Sequence, residues 1–166
     1  MRAMIGPTYL AALGEIVARV RGRGINWAVT GSLGFALQGV PVEPHDIDIQ
    51  TDEAGAYAME RLFAECVARP VAFCQGERIR SHFGELEIKG VKVESMGAVQ
   101  KRNADGSWEE PVDPQQHRVL VQVGEMRVPV LALEYEYQAY LKLGRVKRAA
   151  LLGRWLARRG PRGEGE

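Results

Sequence analysis

Apolar positions along this chain first recur at helical spacing, then bunch into short runs, and later alternate. Leu10, Leu13, Ile16, Val17 and Val20 fall on one helical face within Thr8 to Arg21. Pro7 near the start and Gly22 and Gly24 at the close bound that helix. Trp27 to Val29 reads as a short buried strand, and Ser32 to Leu37 as a short helix opened by a Gly31-Ser32 turn. Pro41 and Pro44 make Gly39 to Pro44 a loop. Asp46 to Gln50 predicts the next strand. Thr51 and Asp52 then stand as candidate caps for a helix over Glu53 to Ala68.

Beyond that helix the pattern favours strands. Val71 to Phe73, Arg78 to Phe83, Leu86 to Ile88 and Val91 to Ser95 fit, with Gly84 and Gly90 at turns. Asn103 to Ser107 is a polar turn that could carry a projecting hairpin. His117 to Val123 and Met126 to Val130 read as a hairpin across Gly124-Glu125. Two helices, Leu133 to Leu143 and Val146 to Arg159, meet at Gly144. The order predicts an α+β (mixed α/β) fold, a mixed sheet with helices packed on it and C-terminal helices. One domain over residues 1–159 is expected, with 160–166, GPRGEGE, as a disordered tail.

Composition narrows the function only by exclusion. With 166 residues and a formal net charge of +1, the chain has no global field directed at nucleic acid or membrane, so long nucleic acid is the least attractive partner. Its two cysteines, Cys66 and Cys74, form no zinc pattern. No signal peptide or membrane-length apolar run is visible, and a cytoplasmic protein with reduced thiols is the expectation.

The chemistry concentrates between Trp27 and Asp52. Side chains alternate along a strand, so Asp46 and Asp48 share a face while Ile47 and Ile49 take the other. Two carboxylates side by side repel and call for a cation. Oxygen ligands suit Mg²⁺, with Mn²⁺ as the alternative metal. Glu94, on a later strand, would complete three metal-binding acids. The wet face of an edge strand accounts for the Asp46-Ile47-Asp48 triplet alone equally well, and Gly-Ser before a helix is an ordinary cap. It is the ordered set that points to a site.

That set, Thr30-Gly31-Ser32, then Asp46-Ile47-Asp48, then Glu94, resembles the nucleotidyltransferase superfamily with its polymerase-beta-like fold. The resemblance is to its minimal members and to antibiotic adenylyltransferases. It implies transfer of a nucleoside monophosphate from a nucleoside triphosphate to a hydroxyl. Asp46, Asp48 and Glu94 would be the catalytic, metal-binding acids, and Gly31 and Ser32 would hold the nucleotide phosphates. Lys142 and Arg145, on a basic C-terminal segment, would add phosphate contacts, although the family's acid after this segment is replaced by Lys147-Arg148-Ala149-Ala150. The acceptor could be a partner protein, as for antitoxins that modify a toxin, or a small molecule such as a lincosamide or aminoglycoside. A nucleotide- or partner-binding module without turnover is the alternative, and a homo-oligomer is left open. His45 and His82 read as loop and solvated-strand residues, and Glu134 and Glu136 as packing and capping at a helix start.

Overall fold

The computed structural model of the chain describes residues 5–159, so the expected tail lies outside the described residues. The elements follow in the order α1 (Pro7–Val20), β1 (Trp27–Thr30), α2 (Gly31–Leu37), β2 (Ile47–Thr51), α3 (Glu53–Leu62), β3 (Val67–Gln75), β4 (Ile79–Ile88) and β5 (Val91–Lys101). Then come β6 (Arg118–Val123), β7 (Met126–Leu131), α4 (Leu133–Leu143) and α5 (Val146–Arg159). The strands form one seven-stranded sheet ordered β3-β4-β5-β2-β1-β7-β6. Pairing is parallel for β2 with β5 and for β1 with β7, and antiparallel elsewhere. The fold is therefore mixed α+β, as the pattern predicts.

One face of the sheet is closed by α1 and α3. Leu13 and Ile16 of α1 and Met59 of α3 meet Val29, Ile47, Ile49 and Val93 of the central strands in one buried cluster. Each such side chain contributes about 1.5–3 kcal/mol by leaving water. A second cluster, Phe35, Val40, Leu133 and Leu152, joins α2 to α4 and α5. It fixes the C-terminal helices beside the β1–α2 turn. The described residues contain no helix long and apolar enough to cross a membrane. Cys66 and Cys74 are free thiols.

Four segments depart clearly from the sequence expectation. The helix expected to reach Ala68 stops at Leu62. Phe63 leaves helical backbone (φ −115°, ψ 38°) and buries its ring in the core, where the Arg19 guanidinium lies 4.7 Å from its centroid. Ala64–Cys66 then forms a 3₁₀ turn, and β3 starts at Val67. Asp52 does cap the helix, accepting from the Gly55 N–H at 2.7 Å.

Secondly, Arg78 to Phe83 and Leu86 to Ile88 are parts of one strand. Gly84 is no turn but a mid-strand residue, and a Cβ there would meet Val71 Cγ2 at 2.7 Å and the Arg69 carbonyl at 3.2 Å. Thirdly, β3 runs well past Val71–Phe73 in both directions. It is the sheet's edge and mostly exposed, so it carries no apolar alternation, and Pro70 is tolerated because one side of an edge strand needs no donors.

β5 also outruns its expected end at Ser95. A bulge lets it continue: two residues, Ala98 and Val99, oppose the single Ser81 of β4, and Ala98 takes φ 53°. The bulge shifts the alternation, so Glu94, Met96, Val99 and Lys101 all line the same cleft.

Candidate active site

The site grows out of the β1–α2 turn. Gly31 adopts φ 69°, a conformation that disfavours side chains, and a Cβ there would lie 2.5 Å from Asp48 Oδ2. Glycine thus lets the turn and the Asp48 carboxylate touch. Ser32 is buried, and its Oγ accepts from the His45 N–H at 3.2 Å, while the His45 carbonyl accepts from the Tyr9 hydroxyl at 2.8 Å. The loop that delivers Asp46 is pinned against the turn by these two bonds.

Sheet register brings the acids together. Asp48 sits opposite Thr30 on β1 and opposite Glu94 on β5. Burial, the neighbouring charges of Glu94 and Asp46, and a hydrogen bond with Glu94 push the Asp48 carboxyl up to about 7. Asp46 lies just ahead of β2, outside the strand in which it was expected. Lys92 approaches this cluster with its Nζ 2.9 Å from Glu94 Oε1, and that pairing raises its own pKa. Among the described residues, no three His, Cys, Asp or Glu side chains gather into a ready-made metal cage. The donor set still suits Mg²⁺, which needs only one or two carboxylates when waters and substrate phosphates fill its other positions.

Two depressions meet at Asp48. The smaller is lined by Ser32, His45, Asp46, Arg145 and Arg148, and the larger, about 440 Å³, by Glu94, Gln50, Met96, Val99 and Lys101 among others. Gly31, Asp48, Tyr140 and Arg145 border both. Asp46 therefore belongs to one side and Glu94 to the other.

The C-terminal helices form the remaining wall. Gly144 ends α4 at φ 73°, and Arg78 Nη1 donates to the Leu143 carbonyl at 2.9 Å, tying β4 to that end. Arg145 follows and reaches the site. Lys142 points elsewhere, its Nζ donating to Asn103 Oδ1 at 2.7 Å and pairing with Glu109 at 3.1 Å. His82 also faces away from the cleft, bonded to the Tyr57 hydroxyl at 3.0 Å and 3.3 Å from Glu53 on α3.

Sequence reasoning missed three residues. Glu136 is fully buried beside the cleft, hydrogen-bonded to Thr30 Oγ1, and burial lifts its carboxyl to about 7. Its spacing on α4, one turn before Tyr140, was the available signal. Arg148 borders the smaller depression with a buried Nη1 that has no hydrogen-bond partner, and its guanidinium sits 5.5 Å from the Phe35 centroid. Lys101 is buried. Desolvation opposes its charge, but bonds to Glu109 at 2.8 Å and the Tyr135 hydroxyl at 3.2 Å hold its pKa above the ordinary value.

A nucleotidyltransferase fold carrying acids at a Gly-Ser turn is the class these features define. The model of the aminoglycoside-2''-adenylyltransferase family matches residues 12–151, and the chain belongs to that family. A crystal structure of a Thermotoga maritima protein, provisionally described as a nucleotidyltransferase, is 58% identical. The match covers 94% of this chain and 97% of that one with a TM-score of 0.84. The lincosamide antibiotic adenylyltransferase LnuA, solved with lincomycin, shares the fold at 12% identity and TM-score 0.57, over 90% of this chain and 97% of that one. So does the antibiotic-resistance factor ANT(2'')-Ia, solved with adenylyl-2''-tobramycin, at 14% identity and TM-score 0.55, over 92% and 91%. No curated protein sequence matches the chain.

Proposed function

We propose that this enzyme transfers the adenylyl group of ATP to a hydroxyl of a small-molecule acceptor, and that it requires Mg²⁺. The observation that carries the reading is the position of Asp48, in contact with the Gly31 turn on one side and with Glu94 on the other. Phosphates belong on the Ser32 side, where Arg145 and Arg148 supply positive charge and the backbone N–H groups of the turn are close. The acceptor belongs on the Glu94 side.

The acceptor hydroxyl oxygen attacks the α-phosphorus, forming one P–O bond. The bond from that phosphorus to the bridging oxygen of pyrophosphate breaks, and pyrophosphate leaves with that electron pair. Glu94 takes the hydroxyl proton. Asp48 would hold Mg²⁺ together with Asp46 on the phosphate side or Glu94 on the acceptor side, and the metal would neutralise phosphate charge and lower the pKa of the hydroxyl. Arg145 and Arg148 steady the charge that grows on the leaving pyrophosphate. The Lys92–Glu94 ion pair has to loosen before Glu94 can serve as base.

The test is transfer of label from α-³²P-ATP to candidate acceptors, among them lincomycin and tobramycin, with and without Mg²⁺. Transfer by wild type and its loss in Asp48→Asn supports the reading. Nucleotide binding without transfer to any small molecule or protein partner would favour a binding module, such as an antitoxin.

A further inference from the structure

We propose that the Glu94-side cleft takes a hydroxyl compound bearing at most one positive charge and an apolar face, with Gln50 as the residue that reads it, and that it rejects polycations. The inference rests on the nucleotidyltransferase reading and narrows its acceptor class.

Charge placement excludes a polycation. Each ammonium group of such an acceptor needs a carboxylate or several carbonyls to replace its water. Of the acids that line the cleft, Asp48 and Glu94 are committed to the phosphoryl chemistry, and Glu136 is already bonded to Thr30. Glu109, the next acid outward, is divided between Lys101 and Lys142. The cations that border the cleft, Arg80, Lys101 and Arg145, would repel further ammonium groups.

Between these charged groups the walls carry apolar side chains, Ile79 and Phe83 of β4, Met96 and Val99 of β5, and Ala139 and Leu143 of α4. The β5 bulge at Ala98 matters here, because without the shift Val99 would turn away from the cleft. A volume of about 440 Å³ lies within the usual range for a site enclosing a drug-sized molecule.

One polar group in this apolar surround has nothing to bond. Gln50 lies two residues beyond Asp48 on the same face of β2, about 6–7 Å along the strand. Its amide oxygen is buried and has no hydrogen-bond partner. A buried amide left unpaired is costly, and a ligand that pairs with it is favoured over one that cannot. Gln50 therefore stands where an acceptor, with its reacting hydroxyl at Glu94, would present a second polar atom.

Calorimetric titrations of the full chain, saturated with Mg²⁺ and an ATP analogue blocked between the α- and β-phosphates, test this. Lincomycin, with one basic nitrogen and an alkyl-substituted ring, should bind at least about tenfold more tightly than tobramycin, with its several ammonium groups. Gln50→Leu should weaken lincomycin by about fivefold or more while leaving the analogue's affinity unchanged, which also reports that the variant is folded. Gln50→Glu, nearly isosteric, should strengthen tobramycin binding by supplying the missing carboxylate. Tobramycin binding as tightly as lincomycin, no lincomycin binding to the loaded protein, or indifference to both Gln50 variants would overturn the proposal. Failure of the analogue itself to bind would instead strike the nucleotidyltransferase reading.

Discussion

The two faces of β2 are made of alternate residues of one five-residue strand, yet they do opposite things. Ile47 and Ile49 are fully buried among α1, α3 and the neighbouring strands. Asp48 and Gln50, one residue away, carry a repelled carboxyl and an unpartnered amide toward the cleft. The first face lowers the free energy of folding, and the second raises it. A strand with period two can hold both because each side chain is insulated from the other face by the sheet itself. The polar face is tolerated because burial of Ile47 and Ile49 on the other face offsets its cost.

The sharpest way to break this comparison is Asp48→Asn. Turnover should fall by about 10³-fold, as when a group that stabilises transition-state charge is removed. Stability should move the other way. The Asp48 carboxyl titrates near 7 in the fold against 3.8 when unperturbed, so the folded chain holds a proton that the unfolded chain has released. Wild-type stability thus contains a contribution from Asp48 that is fully present below about pH 4, declines as pH rises through that window, and is lost above about 7. The Asn variant lacks this decline. At pH 8 it should be more stable than wild type by about 1–3 kcal/mol, with the gap closing toward pH 4. Urea denaturation at the two pH values measures it. Equal stability of the two proteins at pH 8 would show that the cleft face carries no strain.

Next in size, Ile49→Ala tests the packed face. Removing this fully buried side chain should cost about 3 kcal/mol in urea denaturation. Activity per folded molecule should be nearly unchanged, since the side chain never meets the cleft. A large loss of turnover in the folded variant would mean that the two faces are coupled through the strand.

Much of this division was legible beforehand. Alternation in Asp46-Ile47-Asp48-Ile49 assigned the faces, and the helical stripe of Leu13 and Ile16 supplied the layer that covers one of them. What sequence could not show was anything depending on a neighbour strand. β3 has almost no buried side chains, so its length is set by hydrogen bonding to β4 and leaves no pattern. Gly84 looks like a turn residue but is required by the closeness of Val71. In the site, Asp48 and Glu94 could be guessed as partners, but their adjacency comes from the parallel register of β2 and β5. Glu136 read as packing or capping at a helix start because nothing local reveals that the Thr30 hydroxyl donates to it. Lys142 and Arg145 looked equivalent in a basic stretch, and the turn at Gly144 separates them.

Gly31→Ala has a smaller effect and acts at the boundary between the faces. The left-handed backbone conformation should cost about 1–2 kcal/mol with any side chain. The new methyl also meets the Asp48 carboxylate, which can rotate aside because it is the end of a flexible side chain. The fold should survive, while Asp48 leaves its place beside Glu94. Nucleotide affinity in the presence of Mg²⁺ should drop by about tenfold or more, with little change in its absence. Equal losses with and without the metal would place the damage in the turn's backbone rather than in Asp48.

Ser32→Ala should have the smallest effect, and it separates two roles for one hydroxyl. In the structure the Ser32 Oγ accepts from the His45 N–H, a bond that holds the Asp46 loop. In the proposed reaction it would donate to a phosphate, and a hydroxyl can do both because it has one proton and two lone pairs. Loss of the loop bond alone should cost about 1 kcal/mol of stability and leave ATP affinity nearly intact. Loss of a phosphate contact should weaken ATP by about tenfold, the value of one hydrogen bond to a charged group, with less change in melting. Both losses together are expected, each near these sizes. Calorimetry of ATP binding beside thermal melting of the same variant resolves them, and an effect on melting alone would remove Ser32 from the phosphate site while leaving Gly31 and the arginines in it.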